Sequence, residues 1–152
     1  MPVMEARELS RIIQHDAETY SRFLGVFPAN RLPPTMPAYT TLIVNCCDEE
    51  LEGRHWMALH MDDNGGMEFF DSFGMGPSLY NLTPKLPDWR VLTISRRQLQ
   101  SNMSSVCGLY CVYFCYMRTR GWSLGEIIEP FTRDHNANDL FVGDYVNELY
   151  NL

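Results

Sequence analysis

The stretch QSNMSSVCGLYCVYFCYM, Gln100–Met117, decides how the rest of the chain must be arranged. Its second part, Val106–Met117, is apolar or aromatic on every side, so a helix there has no water-facing stripe and belongs in the middle of the fold. Ser104 or Ser105 can cap a helix that begins at about residue 106 or 107. A Cys107 thiol at that start lies near unpaired N–H groups and the positive end of the helix dipole, which favour the nucleophilic thiolate.

Length and composition fit one domain. With 152 residues, of which 45% are hydrophobic, the chain can build one core, and we expect a single domain over residues 1–152. The net charge of −7 argues against a surface that neutralises the phosphates of nucleic acid. The charged first residues do not resemble a secretory signal, and Val106–Met117 is too short to cross a bilayer. The sequence therefore predicts an intracellular monomer without a membrane partner.

Strand-like and helical segments divide the rest of the chain. Apolar spacing predicts a packing helix over about Met4–Tyr20, and the runs Phe23–Pro28 and Arg31–Pro37 read as connections because they contain proline or glycine. Thr40–Asn45 is β-branched and mostly apolar, which predicts a central strand. The other predicted elements are a strand at Val91–Ile94, a helix at about Leu124–Phe131, and a helix at about Asp139–Tyr150 whose apolar face holds Leu140, Phe141, Tyr145, Val146 and Leu149. This pattern predicts an α+β domain.

The most regular feature is a predicted β-hairpin. The runs His55–Met61 and Gly65–Asp71 are strand-like, and the polar triplet Asp62–Asn64 between them is typical of a turn whose last residue takes the left-handed conformation. Counting outward from this loop pairs Leu59 with Met67, Met57 with Phe69, and His55 with Asp71. Directly opposed residues have Cβ atoms about 4.5–5.5 Å apart, so the carboxylate of the last pair can reach the imidazole.

These residues together make up the parts of a thiol protease. His55 would hold Cys107 as the thiolate and later protonate the leaving amine, and Asp71 would fix the tautomer of the imidazole. Gln100 would donate its amide N–H to the oxyanion of the tetrahedral intermediate, alongside the backbone N–H of Cys107. Gly108 would leave room for substrate beside the sulfur.

Each residue also has an ordinary structural interpretation. A cysteine that leads an apolar helix is usually a small buried side chain, a single strand histidine is usually only hydrogen-bonded, and Asp71 stands in a glycine-containing segment that suits a turn. Cys111 and Cys115 read as core residues. A zinc site that used them with Cys107 would stack its ligands along one helix, unlike the loop spacings of structural zinc, so we predict no metal. The combined register and chain order favour the functional interpretation.

Several segments carry a resemblance to a known family. They are Phe23–Pro28, Ile43–Asn45, Gly53–Ala58, Phe70–Gly74, Gln100 with Cys107 seven residues later, Cys107–Cys111 and Asp134–Asn136. In this order they resemble the adenovirus endopeptidase (adenain) family of cysteine proteases, a branch of the clan that also contains the proteases of ubiquitin-like proteins. The resemblance implies that Cys107 is the nucleophile, His55 and Asp71 its two partners, and Gln100 the oxyanion-hole glutamine. It also implies that Trp56 flanks the substrate groove.

The family suggests both a fold and an activity. It implies a papain-like arrangement in permuted order, with the central buried helix packed on a small mixed sheet and flanked by other helices. The implied activity is cleavage after glycine in Gly-Gly or Gly-x-Gly motifs, which matures capsid and other virion precursors of a virus or virus-like transposon, in the host nucleus or the virion. An alternative with the same chemistry is removal of ubiquitin or ubiquitin-like modifiers from host proteins. A non-enzymatic binding module is the third hypothesis.

Three features depart from the family. Residue 71 is Asp, where the adenovirus enzymes commonly carry Glu and the proteases of ubiquitin-like proteins carry Asp, and the chain is shorter than the adenovirus enzymes. Those enzymes are activated by a disulfide-linked viral peptide and by DNA. This sequence has no cysteine between Cys47 and Cys107, where the linking residue would lie, and its net charge is acidic. We therefore expect no required cofactor, and neither the activating peptide nor DNA is carried over.

Overall fold

The computed structural model describes residues 4–46, 55–86 and 91–150 and has the α+β fold that the sequence predicts. Cys47 and the first two residues of the matching segment Gly53–Ala58 lie outside the described residues. The helices are α1 (Ala6–Gln14), α2 (Ala17–Ser21), α3 (Cys107–Thr119), α4 (Leu124–Ile128) and α5 (His135–Tyr150), and the strands are β1 (Phe23–Pro28), β2 (Thr40–Asn45), β3 (Trp56–Met61), β4 (Met67–Phe70) and β5 (Val91–Ile94). No helix of the described ranges is long and apolar enough to cross a membrane.

The five strands of the described residues form one mixed sheet in the order β1-β2-β3-β4-β5. The outer pairs β1–β2 and β4–β5 are parallel, and the inner pairs are antiparallel. Phe23–Pro28 was expected to be a connection, and that prediction is wrong because the segment is the edge strand β1. An edge position tolerates the missing N–H of Pro28, and the register slips around Gly25, whose φ is 141°. The predicted strands β2 and β5 are confirmed.

Helix α3 packs on one face of the sheet and is the centre of the main core. Every residue from Cys107 to Cys115 is buried, which confirms the prediction from its all-round apolar sequence. This core joins α3 to α1, to α5 and to the sheet residues Ile43, Ala58 and Phe70. A second cluster covers the opposite face of the sheet and contains side chains that alternate with these along the strands, such as Leu59 and Phe69. The sheet is therefore buried on both faces.

The β3–β4 hairpin forms, but its register differs from the predicted one by two residues. Leu59 pairs with Phe69 and Met61 with Met67, so the loop is longer than the expected triplet. The cause is the Asp62 carboxylate, whose Oδ1 accepts the backbone N–H groups of Asn64 and Gly66 at 2.8 and 2.7 Å. Gly65, with φ of 80°, takes the left-handed conformation that was expected at Asn64. A shift of two keeps every side chain on its predicted face, because strand side chains alternate with a period of two.

The start of α3 differs from the predicted serine cap. The N-cap is Val106, and no side chain caps it. The Ser104 hydroxyl instead donates to the carbonyl of Ser101 at 3.2 Å and accepts from the Gln100 amide at 3.1 Å. The serine therefore holds the loop before the helix, and the first N–H groups of α3 have no side-chain cap.

The remaining helices differ from prediction at their ends. The expected helix over Met4–Tyr20 breaks before Asp16, which is the N-cap of α2 and forms an ion pair with Arg120 at 2.7 Å. Helix α4 ends at Ile128, and α5 begins four residues earlier than expected. The buried Asn138 side chain donates to backbone carbonyls and so turns the residues Asn138, Val142, Val146 and Tyr150 inward. Leu140, expected on the apolar face, is 69% exposed.

Candidate active site

The imidazole of His55 is bound to the carboxylate of Asp71, with 2.7 Å between Nε2 and Oδ1. His55 directly precedes β3 and Asp71 directly follows β4, so the antiparallel pairing of these strands brings both residues to the same end of the sheet. They lie diagonally across the hairpin, two residues away from the direct opposition that was expected. Both are buried, at 7% and 0% exposure. The hydrogen bond assigns Nε2 of the ring to the carboxylate and leaves Nδ1 for another partner.

Neutral donors surround the Asp71 carboxylate on its other sides. The backbone N–H groups of Phe73 and Met75 each donate to it at 3.1 Å, and the Tyr80 hydroxyl donates at 2.6 Å. The turn that aims these N–H groups passes through Gly74, where φ is 75° and a Cβ would lie 2.6 Å from the backbone of Arg97, in the loop after β5. Asp71 is therefore both the turn former of the ordinary interpretation and the partner of His55.

Two aromatic rings confine the His55 imidazole. Phe73 stacks on it with ring centroids 4.9 Å apart, and the Tyr80 ring lies 5.2 Å away at a tilt of 31°. Burial and the hydrogen bond to Asp71 raise the pKa of Tyr80, so its phenol remains a donor. Sequence reasoning missed both rings, because no periodicity or spacing links the turn after β4 to the histidine. The contacts restrict rotation of the imidazole and hold it toward α3.

Cys107, the first residue of α3, contacts the residue that follows His55. The backbone N–H of Trp56 points at the sulfur, with 3.5 Å between N and Sγ. Burial by itself lowers the pKa of His55, but hydrogen bonds to Asp71 and Cys107, together with their charges, raise that pKa to about 9. The three residues predicted from sequence therefore lie at one end of the sheet, where the imidazole is hydrogen-bonded to the carboxylate and the sulfur is close enough to raise the pKa of the imidazole. Cys107 is only 2% exposed, so a peptide can reach the sulfur only when covering groups move.

Gln100 lies in the loop before α3, and its amide is engaged within that loop. Its Nε2 donates to the carbonyl and hydroxyl of Ser104, both at 3.1 Å, and its Oε1 accepts from the Ser72 hydroxyl at 2.6 Å. The side chain is 1% exposed. The structure therefore gives Gln100 a fixed orientation, but its N–H groups donate to Ser104 and not toward Cys107.

The two predicted substrate-binding residues, Trp56 and Gly108, both pack against the segment around α1. Trp56 is 2% exposed, and its indole N–H donates to the carbonyl of Met4 at 2.8 Å, so the ring anchors the segment before α1. A Cβ at Gly108 would lie 2.9 Å from Leu9 and 3.3 Å from Met4. Gly108 therefore allows α1 to approach α3 closely, and its place beside a bound substrate stays a prediction. Neither position could be read from local sequence, because α1 is far away along the chain.

The other cysteines of α3 are core residues, as predicted. Cys111 and Cys115 are 1% and 0% exposed, and burial raises the pKa of the Cys115 thiol to about 12 and that of Cys111 well above its usual value. Both are therefore neutral thiols at physiological pH. Within residues 4–46, 55–86 and 91–150, no three His, Cys, Asp or Glu side chains are grouped so that they could hold a metal ion.

Two comparisons of this chain with known proteins find no match. No family model matches it, and a search of curated proteins finds no significant similarity. Assignment of a function therefore depends on the site itself, above all on the contacts that join Asp71, His55 and Cys107.

Proposed function

We propose that the protein is a cysteine endopeptidase in which Cys107 is the nucleophile, His55 transfers the proton and Asp71 orients the imidazole. The observation that carries the proposal is the 2.7 Å hydrogen bond between His55 and Asp71, beside a sulfur that lies 3.5 Å from the backbone nitrogen of the next residue, Trp56. The charges and hydrogen bonds of both Asp71 and Cys107 raise the pKa of His55. Separate segments of the chain supply these groups, so local sequence alone does not account for their meeting. A nucleophile, a base within reach and a third group that orients the base form the arrangement used by thiol hydrolases.

The reaction begins when the Cys107 thiolate attacks the carbonyl carbon of the scissile bond. Because the pKa of His55 is about 9, its imidazole is protonated at neutral pH and can donate that proton to the leaving amine. The C–N bond breaks and a thioester remains on the sulfur. A water molecule then gives a proton to His55 and attacks the thioester. This step releases the carboxylic acid and regenerates the Cys107 thiolate and the His55 imidazolium. Asp71 balances the imidazolium charge throughout.

The oxyanion would lie at the start of α3. The backbone N–H of Cys107 belongs to the first turn, where N–H groups have no partner within the helix. Gln100 supplies a second donor if one of its bonds to Ser104 is exchanged for a bond to the oxyanion. A donor of this kind contributes about 10²–10³ in rate.

The burial of the site favours a substrate with small residues at the cleaved bond. Cys107 and His55 are 2% and 7% exposed, so the cycle includes a step that opens the site. Glycine needs the smallest opening because it has no side chain. Together with the resemblance to the adenain family, this supports a papain-like domain in permuted order that cleaves after glycine. We propose virion precursor proteins as its substrates.

A peptide cleavage assay tests the proposal. Wild-type protein should cleave a fluorogenic peptide that contains Gly-Gly, and the Cys107→Ala variant should show no turnover. Cys46→Ala is the matched control for loss of a second, partly buried thiol. Alanine keeps the backbone N–H that donates to the His55 carbonyl at 3.0 Å, so the rate should be unchanged. A thiol-alkylating agent should inactivate wild type and Cys46→Ala equally. Undiminished cleavage by Cys107→Ala would show that the proposal is wrong.

A second assay separates the two substrate classes. A ubiquitin-like modifier that carries a C-terminal electrophile is compared with an electrophilic peptide built on a Gly-Gly cleavage motif. Faster labelling of Cys107 by the peptide supports precursor processing. Faster labelling by the full modifier assigns the enzyme to the removal of ubiquitin-like proteins.

A further inference from the structure

An apolar groove of about 520 Å³ lies between α1 and α5, over the first turn of α3. Its apolar lining consists of Met4, Ile12, Val106, Leu109 and Leu140. Its volume is in the range of sites that hold ligands, roughly 300–1,000 Å³. None of these side chains takes part in the proposed bond-making and proton-transfer steps.

The groove is separate from the place where a scissile bond would bind. Cys107 and Leu109 are two residues apart on one helix, so the directions of their side chains around the helix axis differ by about 160°. The Cys107 sulfur faces the N–H of Trp56 at the end of the sheet, whereas Leu109 lines the groove. A ligand in the groove would therefore touch the helix turn that carries the sulfur without touching the sulfur.

The chemistry of the groove indicates what fits it. Leu140 is 69% exposed and belongs to neither core cluster, so its side chain is available to a partner. The charged residues that line the groove are the acidic Glu8, Asp139 and Asp144 and the basic Arg11. The Tyr110 hydroxyl donates to the Asp139 carboxylate at 2.8 Å and so holds that negative charge at the rim. The groove thus combines an apolar floor with a negative rim.

We propose that this groove is a docking site for a basic amphipathic peptide segment of a partner protein. Large apolar side chains of the segment would pack against Leu109 and Leu140, and its Lys or Arg residues would pair with the acidic rim. A second copy of this chain suits the groove less well, because its net charge of −7 repels an acidic surface. The proposal goes beyond the proteolytic function and does not require it.

Two pairs of variants give matched tests. Gly143 lines the groove and has no atom within 4 Å of the position of a Cβ, so Gly143→Trp can fill the space without a clash at the point of attachment. Gly125 is equally open but lies on α4 outside the groove, which makes Gly125→Trp the control. Asp144→Lys reverses a rim charge, and Glu148→Lys reverses an exposed charge of the same helix that does not line the groove.

The experiment measures fluorescence anisotropy with a labelled helical peptide of about 16 residues, a length at which a helix can form. The peptide carries leucines along one face and lysines elsewhere, and a second peptide carries glutamates in place of the lysines. Wild type should bind the lysine peptide at least ~10-fold more tightly than the glutamate peptide. Gly143→Trp and Asp144→Lys should each weaken that binding ~10-fold, with the two control variants unchanged.

The proposal is overturned if the two peptides bind equally, if neither binds, or if Gly143→Trp and Asp144→Lys bind as wild type does. Thermal melting checks that the tryptophan variant is folded, and if it is not, Asp144→Lys against Glu148→Lys decides alone. Sedimentation of the wild type measures its oligomeric state and completes the test. A dimer that Gly143→Trp dissociates would assign the groove to a second copy and contradict the partner proposed.

Discussion

Two histidines of the β3–β4 hairpin, His55 just before β3 and His60 within it, have opposite environments. His55 binds Asp71 at 2.7 Å although the two are not directly opposed in the hairpin. His60 is directly opposed to Glu68 but makes no hydrogen bond to it. The Glu68 carboxylate is bound by the Arg118 guanidinium at 2.8 Å instead. Position in the ladder therefore does not determine which histidine acquires a carboxylate.

The two environments shift the histidine pKa values in opposite directions. At His55, burial lowers the pKa, but the hydrogen bonds and charges of Asp71 and Cys107 outweigh it and give a pKa of about 9. At His60, burial and then the charge of Arg118 lower the pKa to about 4. One imidazole is therefore positively charged at neutral pH and the other is neutral. The difference lies in the groups beside each ring, which are Asp71 and Cys107 at His55 and the Arg118 cation at His60.

The carboxylates of Asp71 and Glu68 have different partners apart from the histidines: those of Asp71 are neutral, and that of Glu68 is a cation. Asp71 accepts from the neutral N–H of Met75 and the neutral hydroxyl of Tyr80, so its charge remains available to the histidine. Glu68 is neutralised by a cation, and its charge is not available to His60. A histidine–carboxylate pair thus needs a carboxylate that no arginine has already bound.

Replacing each histidine should give the largest difference between the two regions. His55→Ala removes the proton donor for the leaving amine and should lower kcat/KM for a Gly-Gly peptide by ~10³. His60→Gln should leave it within about threefold, because His60 lies outside the contacts to the sulfur. Steady-state kinetics on folded protein measures both. Equal losses would remove the functional distinction between the regions.

Replacing each carboxylate tests its role in the same way. Asp71→Asn should lower kcat/KM by ~10² and lower the pKa of His55, whereas Glu68→Gln should leave the rate unchanged. The pKa of His55 is about 9 in the folded protein and 6.5 in the unfolded chain. The protonated His55 therefore stabilises the fold fully below pH 6.5, and that contribution is lost as pH rises through about 9. The Tm difference between wild type and Asp71→Asn should thus be larger at about pH 6 than at about pH 10. The reverse order would contradict the assignment.

Removing Arg118 should make the second region resemble the first. Arg118→Gln frees the Glu68 carboxylate and should raise the pKa of His60 from about 4. In wild type, the folded pKa lies below the unfolded value of 6.5, so stability is lost as pH falls from 6.5 through about 4. The variant should lose less stability over that interval, as measured by urea unfolding. An equal loss of stability in the two proteins as pH falls from 6.5 through about 4 would show that Arg118 does not control the pKa of His60.

The smallest expected effect concerns access to the sulfur. Trp56→Phe removes the indole N–H that binds the Met4 carbonyl and keeps the backbone N–H that faces Cys107. Loss of this bond should cost about 1 kcal/mol and loosen the segment before α1. The rate of Cys107 alkylation should rise a few-fold, with the half-exposed Trp122→Phe as the control. A rate equal in both variants would show that this segment does not cover the site.

Continuous apolar runs in the sequence predicted the buried elements of the fold well. The run Cys107–Met117 is apolar on all sides and could only be a buried helix, and Thr40–Asn45 could only be a covered strand. The hairpin register could not be predicted, because it depends on one Asp62 carboxylate that accepts two backbone N–H groups. The edge strand β1 was missed because its Pro28 is tolerated at an edge and its Gly25 at a register irregularity, and sequence does not reveal which strand is outermost.

The site was predictable where its residues adjoin regular elements. His55, Asp71 and Cys107 each lie at the end of a strand or the start of a helix, and the register error of two residues kept the first two on their expected face. Tyr80 binds Asp71 from a turn with no regular spacing, so sequence gave no signal for it. The packing of Gly108 against Leu9 could not be predicted, because Leu9 lies in a helix far away along the chain.

The most direct test of the account is a pH titration of the four histidine imidazoles by NMR, in wild type and in the Cys107→Ala and Asp71→Asn variants. If Asp71, His55 and Cys107 form one hydrogen-bonded unit, His55 should titrate near pH 9 in wild type and at lower pH in both variants. His60 should titrate near pH 4 in all three proteins and serves as the internal reference. A His55 that titrates near 6.5 and does not respond to either substitution would contradict the account.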